Sequence, residues 1–230
     1  MKKVADLRAE QERGGGEKTT YTACVVKAIA DGIRDMMHRT PEVNGVITGF
    51  PFRRLVCFKS VDAAVAMERT FNGQDCLFVG IVRDADRKSL EEVAADIKQL
   101  QNSDENDPEG FGKEHKLMQK PGWLRRLALL FGRNSPRLIQ KYRGTVFFSG
   151  IGKYGAGMFP MTNHTLSFNF DEVVERPVAR DGQVCIEPVT TLSVVYDHRV
   201  LTGAPVARLL ARVKARLEAG AFGSRADTGA

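Results

Sequence analysis

Few residues in this chain could carry proton-transfer or nucleophilic chemistry. There are four histidines, His38, His115, His164 and His198, and four cysteines, Cys24, Cys57, Cys76 and Cys185. An imidazole titrates near neutral pH, so a well-placed histidine is the natural general base. His198 is distinguished by its position. It follows the apolar run Leu192-Ser193-Val194-Val195-Tyr196 and opens the turn Asp197-His198-Arg199-Val200-Leu201-Thr202-Gly203. Loops that follow strands are where rigid scaffolds present reactive groups. Spacing alone leaves catalysis and a packed, hydrogen-bonded role both open. His38 falls at a helix end, and His115 lies in a basic segment where solvation is expected. His164 precedes an alternating strand and fits either packing or exposure.

The cysteines show no C-x-x-C pair, and each sits in an apolar segment. Four buried thiols acting as small hydrophobes are expected, with no metal site, because nothing has ligand spacing. Gly150, Gly152, Gly155 and Gly157 lack the order of a phosphate-binding loop. The net charge of +6 is concentrated. Nine Lys or Arg and one acidic residue fall between Lys113 and Arg143, so the remainder is slightly acidic. A local basic element, and no nucleic-acid partner, is the expectation. No apolar run approaches the roughly 20 residues that cross a bilayer. The start, Met1-Lys2-Lys3-Val4-Ala5-Asp6, has no apolar stretch of a secretory signal, so a cytoplasmic address is expected.

The elements that must position His198 can be read from periodicity. Met1 to Gln11 forms a short helix stopped by Gly14-Gly15-Gly16. Tyr21, Cys24, Val25, Ala28, Ile29, Ile33 and Met36 share one face of a long helix ended by Pro41. Leu55–Phe58, Ala63–Met67 and Cys76–Val82 read as strands, with Asn72-Gly73 as a tight turn. Ser89-Leu90-Glu91-Glu92 has capping-box spacing and opens another helix. Residues 101–112 are polar, and Trp123 to Phe131 makes a short basic amphipathic helix. Strands follow at Thr145–Ser149, Leu166–Phe170, Val173–Val178 and Gln183–Ile186, the last two joined by Asp181-Gly182. After Leu192–Tyr196 comes a final helix carrying Val206, Leu209, Leu210, Val213 and Leu217, frayed from Gly220. Helices and hairpins mixed in this order predict an α+β layered domain and no doubly wound sheet.

Asp197-His198-Arg199-x-x-Thr202-Gly203 resembles the D-H-R-x-x-D-G motif of the dihydrolipoamide acyltransferases of 2-oxoacid dehydrogenase complexes. It is also similar to the H-H-x-x-x-D-G motif of the chloramphenicol-acetyltransferase-like superfamily. Neighbouring blocks strengthen the resemblance. Asp181–Pro188 precedes the motif and Gly203–Leu210 follows it. Ile81–Leu90 resembles the family's I-R-D-A-D-x-x-S-L, Pro41–Asn44 its P-E-L-N, and Gly144–Gly152 its G-T-F-T-I-S-N-x-G. The resemblance implies a single α+β domain with a mixed sheet packed by helices. It divides the chain into 1–100 and 144–220, two parts of one domain, around a linker and basic insert at 101–143, with a flexible tail at 221–230.

The function implied is acyl transfer between a thioester and coenzyme A or another thiol. His198 would be the general base and Ser149 the oxyanion donor, with Thr202 third and Asp197, Arg199 and Gly203 supporting the turn. Assembly as a homotrimer with the site between subunits is implied, as is a lipoyl-bearing partner, since no lipoyl or subunit-binding domain is expected in this chain. Thr202, the absent lipoyl arm and the missing first elements favour an alternative, an inactive or weak homologue serving as an oligomeric scaffold. Thr202 stands where the motif has Asp, sometimes Asn, and Gly150 stands where it has Asn. The family's first helix and strand are also missing, so the chain is expected to begin late. The apolar stripe at 117–143 is expected to pack on the domain or a neighbouring subunit; peripheral membrane contact is the lesser alternative.

Overall fold

The computed structural model describes residues 1–15, 19–49, 53–71, 74–103, 120–150 and 164–222. The chain opens with helix α1 (Lys2–Arg13) and α2 (Tyr21–Met37). Thr20 caps α2 by accepting the Ala23 N–H, so the helix starts where the sequence offers a hydroxyl. A 3-10 turn at Pro41–Asn44 leads into a small antiparallel hairpin, β1 (Gly45–Thr48) with β2 (Arg54–Cys57). Next come β3 (Ala63–Phe71), β4 (Gln74–Val82) and α3 (Leu90–Asn102). The Ser89 and Glu92 capping box opening α3 is fully formed. Helices α4 (Gly122–Asn134) and α5 (Pro136–Arg143) precede β5 (Val146–Gly150) and β6 (Leu166–Phe170). The chain continues through β7 (Val174–Arg180), β8 (Gln183–Val189), β9 (Leu192–Tyr196) and α6 (Gly203–Ala219).

The main sheet has the order β4-β3-β5-β6-β9. Strands β3, β5 and β6 run parallel, and β4 and β9 flank them antiparallel, giving the mixed α+β sheet that was expected. Alternation sorts the strands into two faces. Val146 and Phe148, Leu166, Phe168 and Phe170, and Ala63, Val65 and Met67 enter one continuous core with α2, α3 and α6. The other face presents Phe147, Ser149, Ser167 and Asn169, three of them polar and all buried. Hairpin β7–β8 stands apart, and Asp181 and Gly182 make its turn with φ of 49° and 79°, the left-handed pair that such hairpins need.

A polar knot ties the helical layer to the sheet. Both carboxylate oxygens of Asp62 are used: Oδ1 accepts the Asp84 N–H at 2.9 Å and Oδ2 the Arg83 guanidinium at 3.1 Å. Its backbone carbonyl accepts the Thr145 N–H at 2.7 Å, and its own N–H donates to the Thr145 hydroxyl. Gly144 precedes this junction at φ 71°, and a Cβ there would lie 2.7 Å from the Asp62 carbonyl oxygen. Asn44 donates to the carbonyls of Phe58 and Ser60, and Asp86 Oδ1 accepts the Val61 N–H. The P-E-V-N, I-V-R-D-A-D and G-T-V blocks are thus three strands of one knot.

A buried ion-pair network lies beneath it. Lys27 and Asp31 are wholly buried, one turn apart on α2, 2.8 Å from each other. Lys27 also donates to the Ala85 carbonyl at 3.2 Å, while Arg34 and Arg216 approach Asp31.

Two expectations need correction. Among the described cysteine side chains only Cys24 is buried as predicted, and burial pushes its thiol up to about 12. Cys57 is exposed and Cys185 half-buried, because each sits on a two-stranded hairpin outside the main sheet; the Cys76 side chain lies outside the described residues. The apolar stripe of α4 does not pack on its own domain. Trp123 is 69% exposed and Phe131 64%. The reason is that α5, unforeseen in the sequence, does the anchoring. Ile139 joins Val46 and Phe58 in a small second core, and Arg83 caps α5 by donating to the Gln140 and Lys141 carbonyls. The Asn72-Gly73 turn, His115, Gly152, Gly155 and Gly157 lie outside the described residues.

Candidate active site

His198 owes its position to the turn between β9 and α6. The ladder of β9 continues one step past Tyr196, where the Asp197 N–H donates to the Thr165 carbonyl at 2.9 Å. The chain then turns, with the Val200 and Leu201 N–H groups both donating to the Asp197 carbonyl. Buried Leu201 pins the far side of the turn in the core. The Asp197 carboxylate closes it. It accepts the Arg199 N–H at 3.0 Å and the Arg199 guanidinium on both oxygens, at 2.9 Å and 2.6 Å. These Arg199 hydrogen bonds hold the Asp197 carboxyl below its ordinary range. Between these paired residues the His198 ring projects to the exterior, 5.2 Å from the Tyr196 ring at a 38° tilt.

Thr202 is exposed and occupies the N-cap of α6, but its hydroxyl makes no capping hydrogen bond. An Asp there would accept an N–H of the first turn and oppose the helix dipole. At Gly203 a Cβ would only touch the Tyr196 hydroxyl at 3.4 Å.

Ser149 sits at the opposite extreme of exposure, 5% accessible on the central strand β5. Its register neighbours are Ala66 on β3 and Asn169 on β6, and Asn169 in turn faces Ser193 on β9. Paired residues point to the same side of a sheet, so Ser149, Asn169 and Ser193 form a polar row. Asn169 is fully buried. Its amide donates to Asp171 at 2.7 Å, which fixes the side-chain orientation, and its carbonyl Oδ1 has no hydrogen-bond partner among the described residues. A buried orphan acceptor beside a serine donor marks a place where a ligand could complete the pairing. The sequence reading did not single out Asn169. The available signal was an amide at a polar position of the alternating strand Leu166-Ser167-Phe168-Asn169-Phe170.

Within one chain, His198 and Ser149 are not brought together. The register places Asp197 level with Thr165, at the N-terminal end of β6, and Ser149 level with Asn169 near its C-terminal end. Four residues at ~3.3 Å separate them along the strands, and two strand spacings of ~4.8 Å separate them across the sheet. The gap is therefore on the order of 15 Å. Neither His38, exposed at the end of α2, nor His164 replaces His198. The His164 Nε2–H donates to the Arg143 carbonyl at 2.7 Å and the ring lies 5.6 Å from Phe147. Burial drives that imidazole down to about 4. Among the described residues no cluster of three or more His, Cys, Asp or Glu could hold a metal ion.

A mixed sheet layered with helices thus carries a histidine turn after its edge strand and a buried serine on its central strand. The chain belongs to the 2-oxoacid dehydrogenases acyltransferase (catalytic domain) family, whose model matches residues 1–107 and 140–222. It is 29% identical over 212 residues to the dihydrolipoyllysine-residue succinyltransferase component of the 2-oxoglutarate dehydrogenase complex of Bartonella vinsonii subsp. berkhoffii, covering 90% of this chain and 42% of that protein. It is 25% identical to the lipoamide acyltransferase component of the branched-chain alpha-keto acid dehydrogenase complex of Bacillus subtilis (strain 168), over 88% of this chain and 40% of the relative. The chain thus spans less than half the length of these curated relatives.

Among solved structures, a dihydrolipoamide acetyltransferase of Azotobacter vinelandii superposes with a TM-score of 0.63 at 20% identity, covering 94% of this chain and 76% of the other. That structure accompanied enzymatic work on the roles of a serine, a histidine and an asparagine in its catalytic mechanism. A truncated catalytic core of the 2-oxoacid dehydrogenase multienzyme complex from Thermoplasma acidophilum gives 0.59 at 17% identity, covering 94% and 81%. These likenesses establish the fold.

Proposed function

We propose that this chain is the catalytic unit of an acyltransferase that moves an acyl group between coenzyme A and a second thiol, with each site assembled from two chains. The observation that carries this reading is the separation of His198 from Ser149. Each has the setting its role needs, yet they lie at opposite ends of one sheet. A homotrimer in which His198 of one chain faces Ser149 of the next completes the site. Chemically, the His198 imidazole takes the proton of the attacking thiol, whose free pKa of about 8.5 leaves little thiolate at neutral pH. The sulfur adds to the thioester carbonyl, and the resulting oxyanion accepts the Ser149 hydroxyl proton as a hydrogen bond. Collapse breaks the original carbon–sulfur bond, and the leaving thiolate takes the proton back from His198. Asn169 sets an acceptor level with Ser149, suited to an N–H of the substrate. The motif of the Azotobacter vinelandii enzyme has its asparagine four residues past its histidine, the spacing of His198 and Thr202 here.

The test is transfer from acetyl-, succinyl- and branched acyl-coenzyme A to dihydrolipoamide, followed by mass spectrometry. Wild type should form the acyl-dihydrolipoamide and His198→Ala should not; equal turnover in both rejects the assignment. The rival is an oligomeric scaffold without turnover, favoured by the idle hydroxyl of Thr202. Thr202→Asp separates them. A large gain from a near-silent wild type marks a decayed enzyme, and no product from either chain supports the scaffold.

A further inference from the structure

The basic insert carries a surface that the acyl-transfer site does not use. Helix α4 projects from the domain on its anchor α5, and Ser135 serves as the end of one and the start of the other. At 100° per residue, Leu130, Trp123, Leu127 and Phe131 fall within about 100° of arc on α4. All four are exposed: Trp123 69%, Phe131 64%, Leu130 52% and Leu127 43%. Such a contiguous apolar stripe on a folded surface marks an interaction site. Along the two helices the charge has one sign. From Lys120 to Arg143 there are seven Lys or Arg and no Asp or Glu. Arg126 flanks the stripe on α4, with Arg137 and Lys141 exposed on α5.

We propose that α4 docks this protein on an anionic phospholipid surface, lying in the plane of the membrane. Thirteen residues make a helix of about 20 Å, too short to cross a bilayer, and no described helix is long and apolar enough to do so. A helix with an aromatic and leucine face flanked by arginine is suited to sink that face among acyl chains while the arginine meets phosphate headgroups. Pairing of α4 with the α4 of a second copy is disfavoured, since it would bring a second set of seven positive charges against the first. The family match, which stops at residue 107 and resumes at 140, leaves α4 outside the shared catalytic fold.

Trp123 is the only tryptophan, so the chain reports on its own docking. Its emission and the co-sedimentation of the full chain would be followed with phosphatidylcholine vesicles and with mixed phosphatidylcholine and phosphatidylglycerol vesicles. The expected result is a blue shift and sedimentation with the anionic vesicles alone. Binding should weaken about tenfold or more at high salt. The double variant Leu127→Glu with Phe131→Glu should lose it. Both substitutions are at exposed positions, and an unchanged melting temperature would show that the fold is kept. Three outcomes overturn the proposal: no shift with anionic vesicles, equal binding to neutral ones, or a blue shift that tracks protein concentration without lipid, which assigns the stripe to self-association.

Discussion

The acyl transfer proposed for this chain depends on one exposed imidazole, His198, and one buried hydroxyl, Ser149. Among the described residues His198 lies against the Tyr196 ring, and Ser149 is level with Asn169 and Ala66 in the sheet register. Ser149→Ala should therefore leave the melting temperature nearly unchanged while lowering the turnover number about a hundredfold, as loss of an oxyanion donor does. A parallel fall in stability would recast Ser149 as a packing residue. Thr202→Asp should stabilise the protein by up to about 1 kcal/mol through the cap it adds to α6. Denaturant titration measures that apart from any change in rate. At this scale the sequence was informative where a motif contains a residue with distinctive chemistry, as for His198, Asp197 and Arg199. It was silent on Asn169 because an asparagine within a strand carries no spacing signal; only the β5–β6 register puts it beside Ser149.

At the scale of elements, periodicity located nearly every helix and strand, since burial on one face writes the pattern directly. It missed α5, whose single buried residue, Ile139, is too little to write a pattern over eight residues. It left open what covers α4, whose pattern is as regular as that of a packed helix although within one chain the apolar side faces outward. Amphipathic spacing states that a face wants covering and does not name the cover. The Lys27–Asp31 pair was invisible for another reason: both interrupt an apolar helix that was read by its hydrophobic positions. Asp31→Ala should cost about 3–5 kcal/mol in urea unfolding, because Lys27 would remain buried without its carboxylate. A loss below about 1 kcal/mol would show that the Ala85 carbonyl suffices. Gly144→Ala should be similarly harmful, since the added methyl meets backbone at 2.7 Å in a left-handed conformation.

For the molecule as a whole, acid sensitivity should centre on His164. Its folded value of about 4 lies below the ordinary 6.5, because burial disfavours the imidazolium. Unfolding therefore takes up a proton between these limits. The contribution to stability is complete above pH 6.5, declines as pH falls, and is gone near pH 4, up to about 3 kcal/mol in all. Urea melts at pH 7 and pH 4.5 should show the difference, and His164→Gln should flatten it. The larger question is assembly. A single chain leaves serine and histidine on the order of 15 Å apart, so the account requires neighbouring chains to supply one group each. Mixing two separately inactive variants, Ser149→Ala and His198→Ala, under conditions that exchange subunits tests this directly. Random reassembly should pair an intact histidine with an intact serine at about a quarter of the interfaces. Turnover should return to about that fraction of wild type. A mixture that exchanges subunits yet stays as inactive as its parents would contradict a site shared between chains.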